Sequence, residues 1–284
     1  MSNPQFTPST QDVAFYQEHG WFVCPEVLLD DLMDEINYEV ERFHEGERDH
    51  LLPISGGHLD WKLGDGPGLR INDYLSLQSH FFREFVLQPV IGRVASILSE
   101  SAPVRLFHDQ LISKPPVEEG GMTVVGLHTD KAYWETCTSS NLLTAWIPLQ
   151  DTDESMGPLA VVDGSHRWPG TDHLRTFREA NLEDMLRQLA PENVDPKTIP
   201  LPMKRGQLSF HHCRTIHGSW PNRSDRNRVS LTVHIQDASN EYKPRLSALI
   251  KPHINEMLCR PQANGFPDYA DPDVCPELRW SQKS

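Results

Sequence analysis

The residues best able to do chemistry in this 284-residue chain lie in the stretch Gly126-Leu127-His128-Thr129-Asp130. Side chains on an extended strand alternate between its two faces, so His128 and Asp130 point the same way. An imidazole nitrogen and a carboxylate oxygen converging on one point make half of a divalent-metal site. A second histidine has to come from elsewhere. The best candidate is His217, in Ile216-His217-Gly218-Ser219-Trp220-Pro221-Asn222-Arg223-Ser224. Two histidines and one carboxylate occupy one face of an octahedral ion and leave three positions open, the arrangement of non-heme Fe(II) oxygenases. Zinc enzymes also use three protein ligands, leaving one open position, so ligand count alone does not choose the metal. Arg228, eleven residues after His217, argues for iron. Its permanently charged, bidentate fork suits the distal carboxylate of a keto acid that chelates the ion.

These residues resemble the phytanoyl-CoA dioxygenase family of Fe(II)- and 2-oxoglutarate-dependent oxygenases. The resemblance is carried by His128-Thr129-Asp130, by His217-Gly218-Ser219-x-Pro-Asn-Arg-Ser, and by Arg228 at the family's usual distance. Lys114-Pro115-Pro116 ahead of the first ligand, Tyr133-Trp134 after it, and Gly157-Pro158-Leu159 leading to Gly164-Ser165-His166 agree. It extends over residues 15–235. An isolated His-x-Asp is common by chance and reads as a surface strand. Four motifs in the right order are specific. His211 and His212 compete on paper with His217, but they lack its Gly-Ser-x-Pro-Asn context and its distance to Arg228.

The resemblance implies that His128, Asp130 and His217 hold Fe(II), and that 2-oxoglutarate chelates it with its distal carboxylate on Arg228 and Ser219. O2 is the co-reactant. The resemblance also places His108 close to metal and cosubstrate and lines the cosubstrate pocket with Trp146. Tyr133, Trp134 and His173 become substrate contacts, with Arg70 and Lys62 from a Gly-rich loop as weaker ones, beside His58 and Trp61. Packing and surface roles compete for each of these. Halogenating relatives replace the carboxylate ligand by a small residue, so Asp130 disfavours chlorination. Hydroxylation of a small molecule is the expected outcome, with desaturation, epimerisation or cyclisation open to the same chemistry, in natural-product or specialised metabolism. The alternative is a non-catalytic metal-binding jelly roll acting as sensor or scaffold; Arg228 and Ser219 argue against it. A zinc hydrolase lacks an obvious carboxylate base beside the ligands.

Composition sets the frame. Hydrophobic residues make up 38% and charged residues 23%, ordinary values for a globular protein. The net charge of -14 disfavours non-specific nucleic-acid binding and an anionic membrane surface. Five cysteines without a Cys-x-x-Cys motif read as reduced thiols. No secretory signal, membrane-length apolar run or peroxisomal address is expected, which points to a cytoplasmic monomer or homodimer and lowers the fatty acyl-CoA reading.

The elements that must position the site follow from periodicity. Helices are expected over residues 10–19, ended by Gly20, over 29–43, and over 81–100, divided at Pro89. Strands are expected at 21–24, 104–113, 142–149, 157–162, 199–201 and 206–210, with a helix of lid type within 173–190. Residues 44–69 and 117–122 read as loops. Alternating short strands with flanking helices suggest a mainly β protein, a double-stranded β-helix or cupin-like jelly roll. One domain is expected over 1–284, with a core at 15–236 and an extension at 237–284 that wraps the barrel or makes a subunit contact.

Overall fold

The computed structural model describes residues 5–55, 59, 68–117, 123–175, 182–245 and 251–280, the side chains of 182–183 excepted. Helix α1 (Thr10–His19) opens on a capping box between Ser9 and Asp12 and stops at Gly20, whose φ of 78° is the left-handed conformation glycine adopts without strain. Strand β1 (Trp21–Val23) leads to α2 (Asp30–His44). Leu29, expected on the apolar face of that helix, is instead its N-cap and stays exposed; Met33, Ile36, Val40 and Phe43 form the buried stripe. After β2 (Arg70–Asp73) the expected long helix is indeed two, α3 (His80–Val86) and α4 (Pro89–Leu98), with Pro89 at the first position, where its missing N–H costs nothing. The chain continues through β3 (Val104–Lys114), β4 (Val125–His128), β5 (Leu143–Pro148), β6 (Ala160–Val162), α5 (Leu182–Leu189) and β7 (Thr198–Pro200). It ends with β8 (Ser209–His212), β9 (His217–Ser219), β10 (Arg228–Asp237) and the single turn α6 (Asn255–Leu258).

The strands form two antiparallel sheets, a major one in the order β1-β8-β5-β10-β3-β2 and a minor one in the order β4-β9-β6-β7. This is the jelly roll expected from sequence. Helices α2, α3 and α4 cover the outer face of the major sheet, where Leu111, Ala145, Ile147, Phe210, Leu231 and Val233 join Met33, Ile36, Phe82, Phe85 and Ile91 in the largest core cluster. Strand alternation then turns the intervening residues inward. They form rows across the sheet. One row runs His211, Thr144, His234, His108 over β8, β5, β10 and β3. The next runs Trp146, Thr232, Gln110, Asp73 over β5, β10, β3 and β2. Nearer the end of the sheet, Arg228 pairs with Lys114.

The C-terminal segment wraps the barrel. Leu106 N–H donates to Pro276 O at 2.9 Å, and Leu278 N–H donates to Val104 O at 3.0 Å. Among the described residues no helix is long and apolar enough to cross a membrane.

Candidate active site

The minor sheet brings the two histidines together. His128 on β4 and His217 on β9 are direct cross-strand partners, with a register shift between them and the neighbouring Val125–Ser219 pair. At this shift the strands pass so closely that a Cβ on Gly218 would lie 2.6 Å from Val125 O. Only glycine fits there. His128 Nδ1–H donates to Gly126 O at 2.8 Å, and His217 Nδ1–H donates to Thr215 O at 2.9 Å. Each bond fixes the tautomer and puts the ring's lone pair on Nε2, the atom suited to serve as a ligand.

Asp130 arrives by a slightly different route from the one periodicity suggests. The strand ends at His128, and Asp130 is the first residue of a 3-10 turn, Asp130–Tyr133. Thr129 between them keeps extended angles (φ -114°, ψ 141°), so the carboxylate still emerges beside His128. His217 Nε2 lies 3.5 Å from Asp130 Oδ1. The three potential ligand atoms are all within 4.8 Å of one another. Burial pushes the His128 and His217 imidazoles below their ordinary range and keeps them neutral, the form that binds a metal. Two neutral imidazoles and a carboxylate, all buried, fit a divalent ion.

The other carboxylate oxygen is held by the major sheet. Thr144 Oγ1–H donates to Asp130 Oδ2 at 2.6 Å, while His211 Nε2 stands 3.3 Å and His234 Nδ1 3.8 Å from the same oxygen. Thr144 is tied in turn to His234 Nδ1 at 2.8 Å. Thr144 and the two imidazoles that flank it come from one row of the sheet. His211, set aside above as a ligand, lies against the triad, its ring centroid 4.2 Å from that of His217. Sequence reasoning gave no role to His211, Thr144 or His234, because their only signal is cross-strand register.

Along the cavity from the triad stands Arg228, 2% exposed, with its guanidinium carbon 5.4 Å from the centre of the Trp146 ring. Its Nε has no partner, and among the described residues no carboxylate pairs with it. Burial drags its pKa down to about 10. Lys114, fully buried, donates from Nζ to Ser219 Oγ at 2.5 Å and to Trp220 O at 2.6 Å. Burial first, and then the Arg228 charge, hold the Lys114 amine well below its usual range. A buried guanidinium with no anion beside it among the described residues is electrostatically costly. The arrangement calls for a carboxylate. Lys114 was legible in sequence only as the residue before two prolines.

The triad, Arg228, Trp146 and Ser219 line one cavity of about 430 Å³ together with Tyr133, Trp134, His108 and His253, while Lys114 lies behind Ser219. Trp134 is buried with its ring edge-on to His234 (5.0 Å), and Tyr133 stands edge-on to His128 (5.8 Å). His108 sits on the row that supports Asp130, stacked on His234 at 5.2 Å. Two of the weaker candidates are not brought to the cavity. His173 lies exposed at the end of a 3-10 turn, Thr171–His173, and Arg70 sits on β2 at a position whose alternation hands the inward places to Ile71 and Asp73. Lys62, His58 and Trp61 lie outside the described residues.

Comparison with known proteins adds to this geometry. The sequence profile of the phytanoyl-CoA dioxygenase (PhyH) family matches residues 16–230. The chain is 25% identical over 239 residues to the peroxisomal phytanoyl-CoA dioxygenase of Rattus norvegicus, across 82% of this chain and 70% of that one. It is 30% identical over 239 residues to the 1-deoxypentalenic acid 11-beta-hydroxylase of Streptomyces exfoliatus, across 80% of each. Its fold matches the crystal structure of the epimerase SnoN in complex with Fe3+, alpha ketoglutarate and nogalamycin RO with a TM-score of 0.70, at 25% identity, over 95% of this chain and 98% of that one.

Proposed function

The chain belongs to the phytanoyl-CoA dioxygenase family of Fe(II)- and 2-oxoglutarate-dependent oxygenases, and we propose that it oxidises an unactivated C–H bond of a small organic molecule, hydroxylation being the default outcome. His128, Asp130 and His217 are the residues to hold Fe(II). Arg228 and Ser219 are the residues to seat the distal carboxylate of 2-oxoglutarate, with Lys114 holding the Ser219 hydroxyl and Trp146 walling the pocket. When bound, the iron and keto acid supply oxidative decarboxylation by O2 and the oxidising power that breaks a C–H bond.

The protein's own part is positional. Thr144 fixes the rotation of the Asp130 carboxylate, with the His211 ring standing beside it; Gly126 O and Thr215 O fix the imidazole tautomers. Trp134, Tyr133 and Ile71 present apolar surface to the open side of the triad, which limits water there and places the substrate. His108, adjoining His234, faces the same space.

The observation that carries this reading is the buried Arg228 guanidinium, which opens on the same cavity as the triad with no carboxylate paired to it among the described residues, beside a Ser219 hydroxyl held from behind by Lys114. A metal-binding scaffold has no need of it. The bacterial hydroxylase and the epimerase among the similar proteins support a substrate from specialised metabolism; the same placement of a substrate radical could lead to epimerisation, desaturation or ring closure. The test is anaerobic addition of Fe(II) and then 2-oxoglutarate to the metal-free protein. A weak visible metal-to-ligand charge-transfer band is expected, and its loss in Arg228→Ala. Iron binding without that band would remove the oxygenase reading.

A further inference from the structure

At the end of the cavity bounded by β2 and the start of β3, a second polar group gathers that neither holds the metal nor faces Arg228. His108 is buried at 8% exposure, and its Nε2 has no hydrogen-bond partner among the described residues although Asp73 Oδ1 is only 3.5 Å away. Gln110 Nε2–H donates to Asp73 Oδ1 at 2.8 Å and fixes that carboxylate. A third group, His253, comes from the C-terminal segment, beyond the part of the chain that matches the family.

The way His253 is held makes it part of a built site. Its ring lies parallel to that of Phe107 (4.8 Å, 25°) and meets the His108 ring edge-on at 5.7 Å. Two residues on, Asn255 is wholly buried and pins the segment: its Nδ2–H donates to Phe107 O at 2.7 Å, and its Oδ1 accepts from Tyr74 Oη–H at 2.7 Å. Tyr74 is a non-glycine residue at φ 57°, a left-handed conformation that persists only where neighbours hold it. Its ring packs on His108 at 4.4 Å. The backbone N–H of Asn255 donates to His253 Nδ1 at 3.3 Å, which puts the remaining ring proton on Nε2. Pro252 and Ile254 flank His253 on the cavity wall.

We propose that His108, Asp73 and the strap residue His253 form a substrate subsite for a hydroxyl group attached to an apolar ring system, and that the C-terminal strap is therefore a specificity element. A hydroxyl is the group that fits. Its oxygen accepts from the His108 Nε2–H, and its O–H donates to the Asp73 carboxylate, so the orphaned His108 nitrogen is satisfied at the same time. A carboxylate has no proton to give and meets the Asp73 charge. The body of such a molecule lies against Ile71, Tyr133, Trp134 and Ile254, between this subsite and the triad.

The inference rests on the oxygenase reading, and its test separates the two. Protein loaded anaerobically with Fe(II) and 2-oxoglutarate is titrated calorimetrically with 2-naphthol and with 2-naphthoate, rings of one size carrying the two groups. The wild type should bind the naphthol about tenfold or more tightly than the naphthoate, the scale of one or two hydrogen bonds against a repelled charge. His253→Phe, which keeps a ring against Phe107, should weaken the naphthol about tenfold. Asp73→Asn should narrow the discrimination by strengthening naphthoate, a change that a misfolded protein would not produce. A charge-transfer band with equal binding of the two probes, or an unaltered ratio in both variants, overturns the subsite alone. No band in the wild type overturns the oxygenase reading and the subsite with it.

Discussion

His128 and His217 face each other as Cα partners across the β4–β9 ladder, with ring centroids 4.2 Å apart. Eighty-nine residues of sequence separate them. Their convergence depends on the register of a short pairing, and that register depends on the missing side chain of Gly218.

Gly218→Ala should therefore damage the site without touching a ligand. The added Cβ would meet two backbone carbonyls, Val125 O at 2.6 Å and Gly126 O at 3.1 Å, and backbone cannot step aside cheaply. A loss of ~1–3 kcal/mol in stability is expected, with weakened iron binding as β4 and β9 spread. Denaturant melts and metal titration check this; unchanged iron affinity would separate the glycine from the geometry of the histidines.

Arg228→Met should have opposite effects on binding and stability. Removing the charge-assisted contact should raise the 2-oxoglutarate requirement about 10–100-fold. The same substitution deletes a buried cation that no described carboxylate balances, so the melting temperature of the ligand-free protein should rise. A scan of both proteins without cosubstrate decides it, and a lower melting temperature in the variant would contradict the account of Arg228 as electrostatically unsatisfied.

Thr144→Val keeps the shape of the side chain and removes the proton given to Asp130 Oδ2. Iron affinity should fall about 10–100-fold, as for other residues that orient a ligand from behind. Asp130→Ala should abolish substrate oxidation outright. Equal iron affinity in Thr144→Val and wild type would mean that His211 alone suffices to hold the carboxylate.

Acid should destabilise the metal-free protein through its buried histidines. Burial lowers His234 from 6.5 to about 3, and it lowers His212 by as much. In the unfolded chain these rings take up protons below pH 6.5, while in the fold they stay neutral until about pH 3. Stability is therefore whole above pH 7 and falls as pH drops from 6.5 towards 3, by up to ~1.4 kcal/mol per pH unit for a buried ring such as His234. Thermal melts from pH 7.5 to 4.5 should show the decline, and a smaller slope is expected in His234→Gln.

Much of the architecture is legible in the sequence. Periodicity located α1, α2 and the α3–α4 break at Pro89, because capping boxes, apolar stripes and a missing N–H act within a few residues. The motif order singled out His128, Asp130 and His217, and the structure clusters them. The start of α2 differs from the expected one by a single residue, Leu29, since an apolar side chain at a helix start can be either cap or core.

The rest was decided by pairing across strands. His211, Thr144, His234 and His108 share a row only because β8, β5, β10 and β3 lie side by side in one register, and a slip of one residue would turn each of them toward the helices. Lys114 meets Ser219 across 105 positions of chain, and Asn255 reaches Phe107 across 148. Sequence by itself determined which groups could bind a metal and a keto acid, since ligand chemistry belongs to residue types and short motifs. Tertiary structure decided what supports those ligands and what walls the substrate, because hydrogen bonds between strands and a strap pinned by one buried asparagine leave no local pattern to read.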